Sequence, residues 1–425
     1  MLTSRRMLSL LLAAAAVIAL LSGCYAAPVN EATEQGGETS GAIVTDSKIP
    51  VTTYPVPEEN IRTFGNMAAS ASTGGFWQWD TFFRPYIQAY DPVTRTTYVP
   101  CYQSGCRHND PTCNACFGDL QSLVEYRENY YAMVYTDDET ASALVTRPLS
   151  GGPLQILASW KPENEDEACR CVLRYVSFGK AYVTANRETY ALTEDGQLTT
   201  AAQESSLVSV DLQTGEVSTI LENDDGYDLY SVWEDIAAFR MLEMAEDAPE
   251  FEDWLAQQPE GTSWDEYDRQ FLGIRFLVRN LKTGEETVLV DASENYVRTV
   301  DPHRSWGQYA VYQVDRSLYV YDLEKQAAKK LFTYEQNWDF YNYMILDGHV
   351  IAICGTEDTC RAWAVDIADG SVIELDTYGE NVVAFSAHYE CNGYFVGLLH
   401  ASNNADKYYI SKEDYYRSNY DAAFR

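Results

Sequence analysis

Through most of the chain, apolar and polar residues alternate over short runs, the period-two pattern of strands with one buried face. The runs are punctuated by a recurring turn: a β-rich run, then Asp or Asn, two or three residues, a Gly, and a second β-rich run. The fullest copies are Leu207-Val-Ser-Val-Asp211-Leu-Gln-Thr-Gly215, Phe276-Leu-Val-Arg-Asn280-Leu-Lys-Thr-Gly284 and Ala362-Trp-Ala-Val-Asp366-Ile-Ala-Asp-Gly370. The Asp or Asn can accept hydrogen bonds from amides two residues on, and the late Gly can take the positive φ that closes a short hairpin. Weaker copies centre on Asp91 and Asp322, a variant runs from Leu144 through Pro148 to Gly151, and Tyr408-Tyr-Ile-Ser411 offers a last strand. Most hairpins are preceded by another strand-like run, such as 130–135, 181–184, 309–312, 349–353 and 394–398, so each unit holds three or four strands. About seven units at a spacing of 42 to 69 residues predict an all-β chain, a β-propeller of about seven blades, with six or eight as alternatives.

Three stretches break this rhythm. Within 223–270, the segments Pro249 to Gln257 and Trp264 to Arg269 have a helical period and dense Asp and Glu, which predicts an acidic, partly helical insertion on one face. Residues 24–59 are rich in Pro, Glu, Thr, Gly and Ser and read as a flexible tether, leaving 60–425 as the propeller domain. Residues 1–23 have the layout of a signal peptide: Arg5 and Arg6, an apolar run from Leu8 to Leu21, then Leu21-Ser22-Gly23-Cys24. That stretch resembles a bacterial lipoprotein signal. The resemblance implies cleavage before Cys24, acylation of Cys24, and a protein tethered to the cell membrane facing outside the cytoplasm. Arg5-Arg6 also resembles a twin-arginine export signal, although the strongly apolar run favours general secretion.

Composition narrows the partners. The 425 residues carry a formal net charge of −34, which disfavours nucleic acid, because phosphate binding needs clustered Lys and Arg. The 32 tyrosines against 14 prolines suit strands. No EF-hand loop or Gly-Gly-x-Gly-x-Asp repeat is present.

The densest chemistry is Cys101-x4-Cys106-x-His108-x4-Cys113-x2-Cys116. An oxidising compartment favours disulfides, and four cysteines allow three pairings. The competing reading is a structural zinc held by Cys106, His108, Cys113 and Cys116; no cofactor is otherwise required. A redox role for Cys113-x-x-Cys116 lacks a βαβ setting, and Phe117 excludes haem attachment. With the Tyr90-Asp91 hairpin before it, Tyr98 to Ala115 resembles the signature of a group of Gram-positive, largely anaerobe-derived lipoproteins in which a propeller-like domain follows the tether. The resemblance implies fold and location, and Cys116 is an addition to its pattern. Elsewhere, Cys354 and Cys360 flank a hairpin loop they can bridge, Cys169 and Cys171 cannot readily bond to each other, and Cys391 is a candidate for the odd thiol.

His-Glu-x-x-His, Gly-x-Ser-x-Gly, phosphate-loop and Gly-x-Gly-x-x-Gly motifs are absent, as are sialidase boxes. Asp301-Pro-His303-Arg304 is one small polar cluster; His349 and His400 read as strand-edge residues. The sequence therefore points to a lipid-anchored extracellular propeller that binds an unknown ligand or envelope protein without catalysis. The alternative is a carbohydrate-active surface protein, with Trp77, Trp79, Trp160, Trp264, Trp306 and Trp363 as candidate sugar-stacking faces.

Overall fold

A computed structural model describes residues between 43 and 424, apart from 45–58, 63–66, 70–75, 194–197, 223–226, 259–262, 292–304, 335–338, 356–359, 400–406 and several shorter gaps. The stretch expected as a signal peptide, Cys24, His303 and His400 lie outside the described residues. Among the described residues, seven antiparallel sheets of three or more strands follow one another along the chain, with one two-stranded sheet, Thr377–Tyr378 and Val382–Val383, between the last two, and form a β-propeller of seven blades. Blade 1 comprises Met67–Ala69, Phe76–Asp80, Arg84–Asp91 and Thr96–Tyr98. Blade 2 comprises Asp119–Tyr126, Asn129–Thr136, Ala141–Pro148 and Gln155–Trp160. Blade 3 has Glu167–Ser177, Lys180–Leu192, Leu198–Asp211 and Val217–Leu221, and blade 4 has Tyr227–Trp233, Ile236–Met244, Leu272–Asn280 and Glu286–Val290. Blade 5 is Ser305–Trp306, Tyr309–Val314, Ser317–Asp322 and Ala327–Thr333, and blade 6 is Asp339–Leu346, His349–Gly355, Cys360–Asp366 and Val372–Leu375. Blade 7 has three strands, Phe385–Cys391, Tyr394–Leu399 and Lys407–Ser411. Each blade's first strand lies against the next blade, and Phe385–Cys391 of blade 7 lies against Met67–Ala69 of blade 1, so the sheets form a ring.

The predicted turn chemistry is present. Asp211 Oδ1 accepts the amides of Gln213 and Thr214 at 3.0 and 2.8 Å, and Asn280 Oδ1 accepts those of Lys282 and Thr283 at 2.9 and 3.0 Å. Asp322 and Asp366 repeat the arrangement, while Gly215 and Gly370 take φ of +74° and +80°. All these turns join third to fourth strands. The residue after the Asp or Asn then sends its amide to the turn between the first and second strands: Leu212 to Gly179, Leu281 to Asp235, Leu323 to Gln308 and Ile367 to Gly348, at 2.7–3.0 Å. One end of the propeller, hereafter the base, is thus a layer of paired tight turns.

The core sits between blades. Apolar clusters join blade 2 to blade 3, blade 3 to blade 4, blades 4 to 6 to one another, and blade 6 to blade 7. Tyrosine explains its abundance here, because its ring fills the gap while its hydroxyl reaches the neighbouring blade's backbone. Tyr175 Oη donates to the Tyr230 carbonyl, Tyr230 Oη to that of Val311 at 2.8 Å, and Tyr182 Oη to that of Glu234 at 3.0 Å.

Blade 7 departs from the pattern. Its third strand, the one expected at Tyr408–Ser411, pairs with Tyr394–Leu399 and ends at Ser411, which caps the helix Lys412–Tyr416 by accepting the Asp414 amide at 3.0 Å. Lys412 occupies the place held by Leu or Ile in blades 3 to 6 and sends its amide to Gly393. Its buried Nζ lies 2.7 Å from Asp347 Oδ1 and 3.0 Å from Glu390 Oε2. Tyr416 Oη donates to Asp347 Oδ2, the Asp347 amide to Glu390 Oε2, and Trp306 Nε1 to Glu390 Oε1, so one network ties blades 5, 6 and 7.

The insertion is shorter than its expected span of 223–270. Residues 227–233 and 236–244 are the first two strands of blade 4, and the helices Phe251–Leu255 and Trp264–Phe271 fall between its second and third strands. The strands remain paired up to Met244 and Leu272, so the helices grow from a hairpin loop. Ile43 and Val44 pair with blade 6, Ile61 and Arg62 pair with blade 3, and Glu59 is held by side chains of blade 2.

Candidate metal centre and elaborated face

The cysteine-rich segment, residues 99–118, connects the last strand of blade 1 to the first of blade 2. The Cys106 amide bonds to the Gln103 carbonyl at 3.3 Å, and Gly105 and His108 adopt φ of +72° and +57°, folding the loop back on itself. Gln103 Nε2 ties it to the Thr112 carbonyl at 2.6 Å. The result brings together one ligand atom each from Cys101, Cys106, His108 and Cys113, all within 4.8 Å of one another. The zinc set expected from the sequence, Cys106, His108, Cys113 and Cys116, is corrected at one member: Cys101 joins and Cys116 does not. Cys116 is buried in the core between blades 1 and 2, bridged through its backbone to Tyr86.

Each of the three sulfurs accepts an amide from two residues ahead: Gln103 to Cys101, His108 to Cys106 at 3.4 Å, and Ala115 to Cys113. Hydrogen bonds of this kind favour the thiolate, the form that binds metal. Burial works to raise the Cys101 pKa, but the Gln103 amide and the Cys113 and Cys106 sulfurs together bring it below its ordinary value. Burial pushes Cys113 up to about 12, and the Cys106 and Cys101 sulfurs add to the rise. The Cys113 thiol therefore resists deprotonation until a cation is present to absorb the charge.

The residues fit zinc. Zn–S bonds of about 2.3 Å place tetrahedral sulfurs about 3.8 Å apart, and His108 Nδ1 already lies 3.3 Å from Cys113 Sγ. Four protein ligands leave no open position, the hallmark of a structural centre. Beneath the loop lies the fully buried Arg147, whose guanidinium donates to the carbonyls of Cys113 and Cys116 and sits 5.2 Å from the centre of the Phe117 ring. Zinc with three thiolates and a neutral imidazole carries one negative charge, and Arg147 supplies the opposite charge. Sequence spacing gave no sign of Arg147, which stands 34 residues from Cys113.

Among the described residues no disulfide is formed. Cys101, Cys106, Cys113, Cys116, Cys169, Cys171 and Cys360 are all free thiols. The Cys354–Cys360 bridge is not formed either. The strand register pairs Cys354 with Arg361 and Gly355 with Cys360, offsetting the two cysteines by one residue. The Cys354 side chain and the Asp301-Pro-His303-Arg304 cluster lie outside the described residues. Of the candidate sugar-stacking rings, Trp363 is buried and Trp306 is tied to Glu390; the side chains of Trp77, Trp79 and Trp264 lie outside the described residues.

Strand direction puts the metal loop at the end opposite the base, because it connects a fourth strand to a first. Two further elaborations share that end. The second and third strands of blade 3, 13 and 14 residues long, form an extended hairpin, and the blade 4 helices leave from a second-to-third connection. The helices have a small aromatic core of their own: Trp254 and Tyr267 are buried, their rings 5.3 Å apart, and Trp254 Nε1 bonds to Gln270. Leu192 and Leu198 on the hairpin and Leu242 and Met244 below the helices are exposed apolar residues.

No protein-family model matches the sequence, and no curated protein matches it. Among solved structures, the chain is similar to the β-propeller domain of the trilobed protease from Pyrococcus furiosus (9% identity, 83% of this chain and 93% of that one, TM-score 0.42). It is also similar to the acylaminoacyl peptidase of Pyrococcus horikoshii (11%, 83% and 51%, TM-score 0.44) and to oligogalacturonate lyase from Vibrio parahaemolyticus (13%, 84% and 84%, TM-score 0.38). At these identities the likeness concerns the fold alone. The assignment of seven blades rests on the sheets themselves.

Proposed function

We propose that this protein is a lipid-anchored, extracellular β-propeller that binds a ligand or an envelope protein through its elaborated face, with the Cys101, Cys106, His108, Cys113 centre holding a structural zinc. One observation carries the reading: the extended hairpin, the helical insertion and the cysteine loop all emerge at one end of the ring, while the other end is a layer of tight turns. The closed ligand set gives the metal a shaping role, holding the loop between blades 1 and 2 in one conformation without a vacant position for substrate.

Metal analysis of purified protein, with intact mass before and after reduction, tests the centre. One zinc per chain is expected, with no mass gain on reduction. A metal-free chain gaining about two hydrogens per cysteine pair would replace the centre with disulfides. Loss of lipid labelling in Cys24→Ser tests the anchor. Turnover of any member of a glycan and peptide panel at enzyme-like rates would overturn the binding role.

A further inference from the structure

The N-terminal segment meets the propeller at two places, both at the base. Ile43 and Val44 pair in parallel with Val372 and Ile373, the first residues of the outermost strand of blade 6, immediately beyond the base turn 366–371. A parallel partner runs in the same direction as its neighbour, so Ile43 lies nearer the base than Val44. The second place is the inner edge of blades 2 and 3. Ile61 and Arg62 pair antiparallel with Val176 and Tyr175, on the edge of the first strand that does not carry Lys180–Leu192, at its base end.

Just ahead of that pairing, the Glu59 carboxylate is held in a cradle built from two blades. Tyr126 Oη donates to Oε2 at 2.7 Å, the Phe178 amide donates to the same oxygen at 3.0 Å, and the Arg127 guanidinium donates to Oε1 at 2.5 Å. The Gly179 amide in turn donates to Tyr126 Oη at 2.9 Å, which orients that hydroxyl toward the carboxylate. Strand addition with a charge-assisted anchor is the arrangement by which sheets capture extended peptides, here used on a segment of the same chain.

We propose that residues 43–44 and 59–62 are docking points that fix the exit of the chain at the base, so that an anchor on Cys24 holds the base toward the membrane and presents the elaborated face away from it. The orientation rests on the anchored reading above; the docking does not.

The test uses the full chain purified from membranes. In detergent, backbone amides at 61–62 should exchange with solvent at least tenfold more slowly than those at 25–40. Glu59→Ala should accelerate exchange at 61–62 about tenfold while blade-core amides remain unchanged, with Glu59→Gln giving a smaller change in the same direction. In phosphatidylcholine–phosphatidylglycerol vesicles carrying an acceptor dye, a donor at Gln213, on the blade 3 base turn, should be quenched at least twofold more than one at Glu165, between blades 2 and 3 at the elaborated end. Fast exchange at 61–62 in the unmodified chain, or equal or reversed quenching, overturns the proposal. Protected docking points in a chain that does not enter vesicles would uphold the docking and sink the anchored reading instead.

Discussion

Single side chains do two kinds of structural work in this propeller. The turn carboxylates act locally. Side-chain and backbone hydrogen bonds from Thr94 and Val93 hold Asp91 below the ordinary carboxylate range, and amides of Thr214 and Gln213 with the Thr214 hydroxyl do the same for Asp211. A depressed folded pKa means the contribution is complete above pH 3.8 and is lost as pH falls through the folded value. The urea midpoint should accordingly decline as pH falls below about 4, and the decline should be shallower in Asp211→Asn, whose amide oxygen does not titrate. Lys412 acts over distance. Burial opposes its charge, but Glu390 and Asp347 more than offset this and raise its pKa, so its contribution is complete below pH 10.5 and lost as pH rises through the folded value. Lys412→Leu restores the residue type used in blades 3 to 5 but leaves two buried carboxylates uncompensated. It should cost about 3–5 kcal/mol in chemical unfolding, with part recovered in Lys412→Leu/Asp347→Asn/Glu390→Gln. The turns were legible in the sequence because Asp and Gly act on their own backbone within five residues. The Lys412 network was not, because Asp347 lies 65 residues away in another blade.

At the scale of elements, a loop's chemistry is set by where the chain reverses. Spacing alone made Cys116 as good a ligand as Cys101. The amides two residues ahead of Cys101, Cys106 and Cys113 decide the matter by turning those three sulfurs inward. If the centre takes up zinc as proposed, Cys101→Ser and His108→Ala should each abolish its binding and Cys116→Ser should leave it at full stoichiometry, read by metal analysis of the purified variants. Sequence periodicity found the two helices of blade 4 but placed their insertion too early, since the acidic stretch near Asn223 looks alike whether it joins two blades or leaves one. Because Ile236–Met244 and Leu272–Asn280 stay paired to the loop, replacing 247–270 with a short turn should preserve the fold. Circular dichroism should then keep its β signature, with Tm shifted by only a few degrees.

For the whole molecule, stability resides in contacts between neighbouring blades. Tyr175→Phe and Tyr230→Phe each remove a hydroxyl that satisfies a carbonyl of the next blade and should each cost about 1 kcal/mol. The two should couple in a double-mutant cycle, because Tyr230 receives one bond and gives the next. The ring was legible in outline from seven repeats, yet the way it shuts was not. Among the described residues, blade 7 is built only from the chain's last part, and no strand from the N-terminal segment completes it. At the join, the Arg95 guanidinium of the blade 1 turn stacks 3.9 Å from the centre of the Phe424 ring, and Phe424 bridges through its backbone to Tyr409. Every other junction between blades is crossed by the covalent chain; this one is a seam. A ring with a seam has a preferred place to part, so heat or mechanical pull should separate blade 7 from blade 1 first, and the last residues before Arg425 act as the fastener that sets how much strain the circle tolerates.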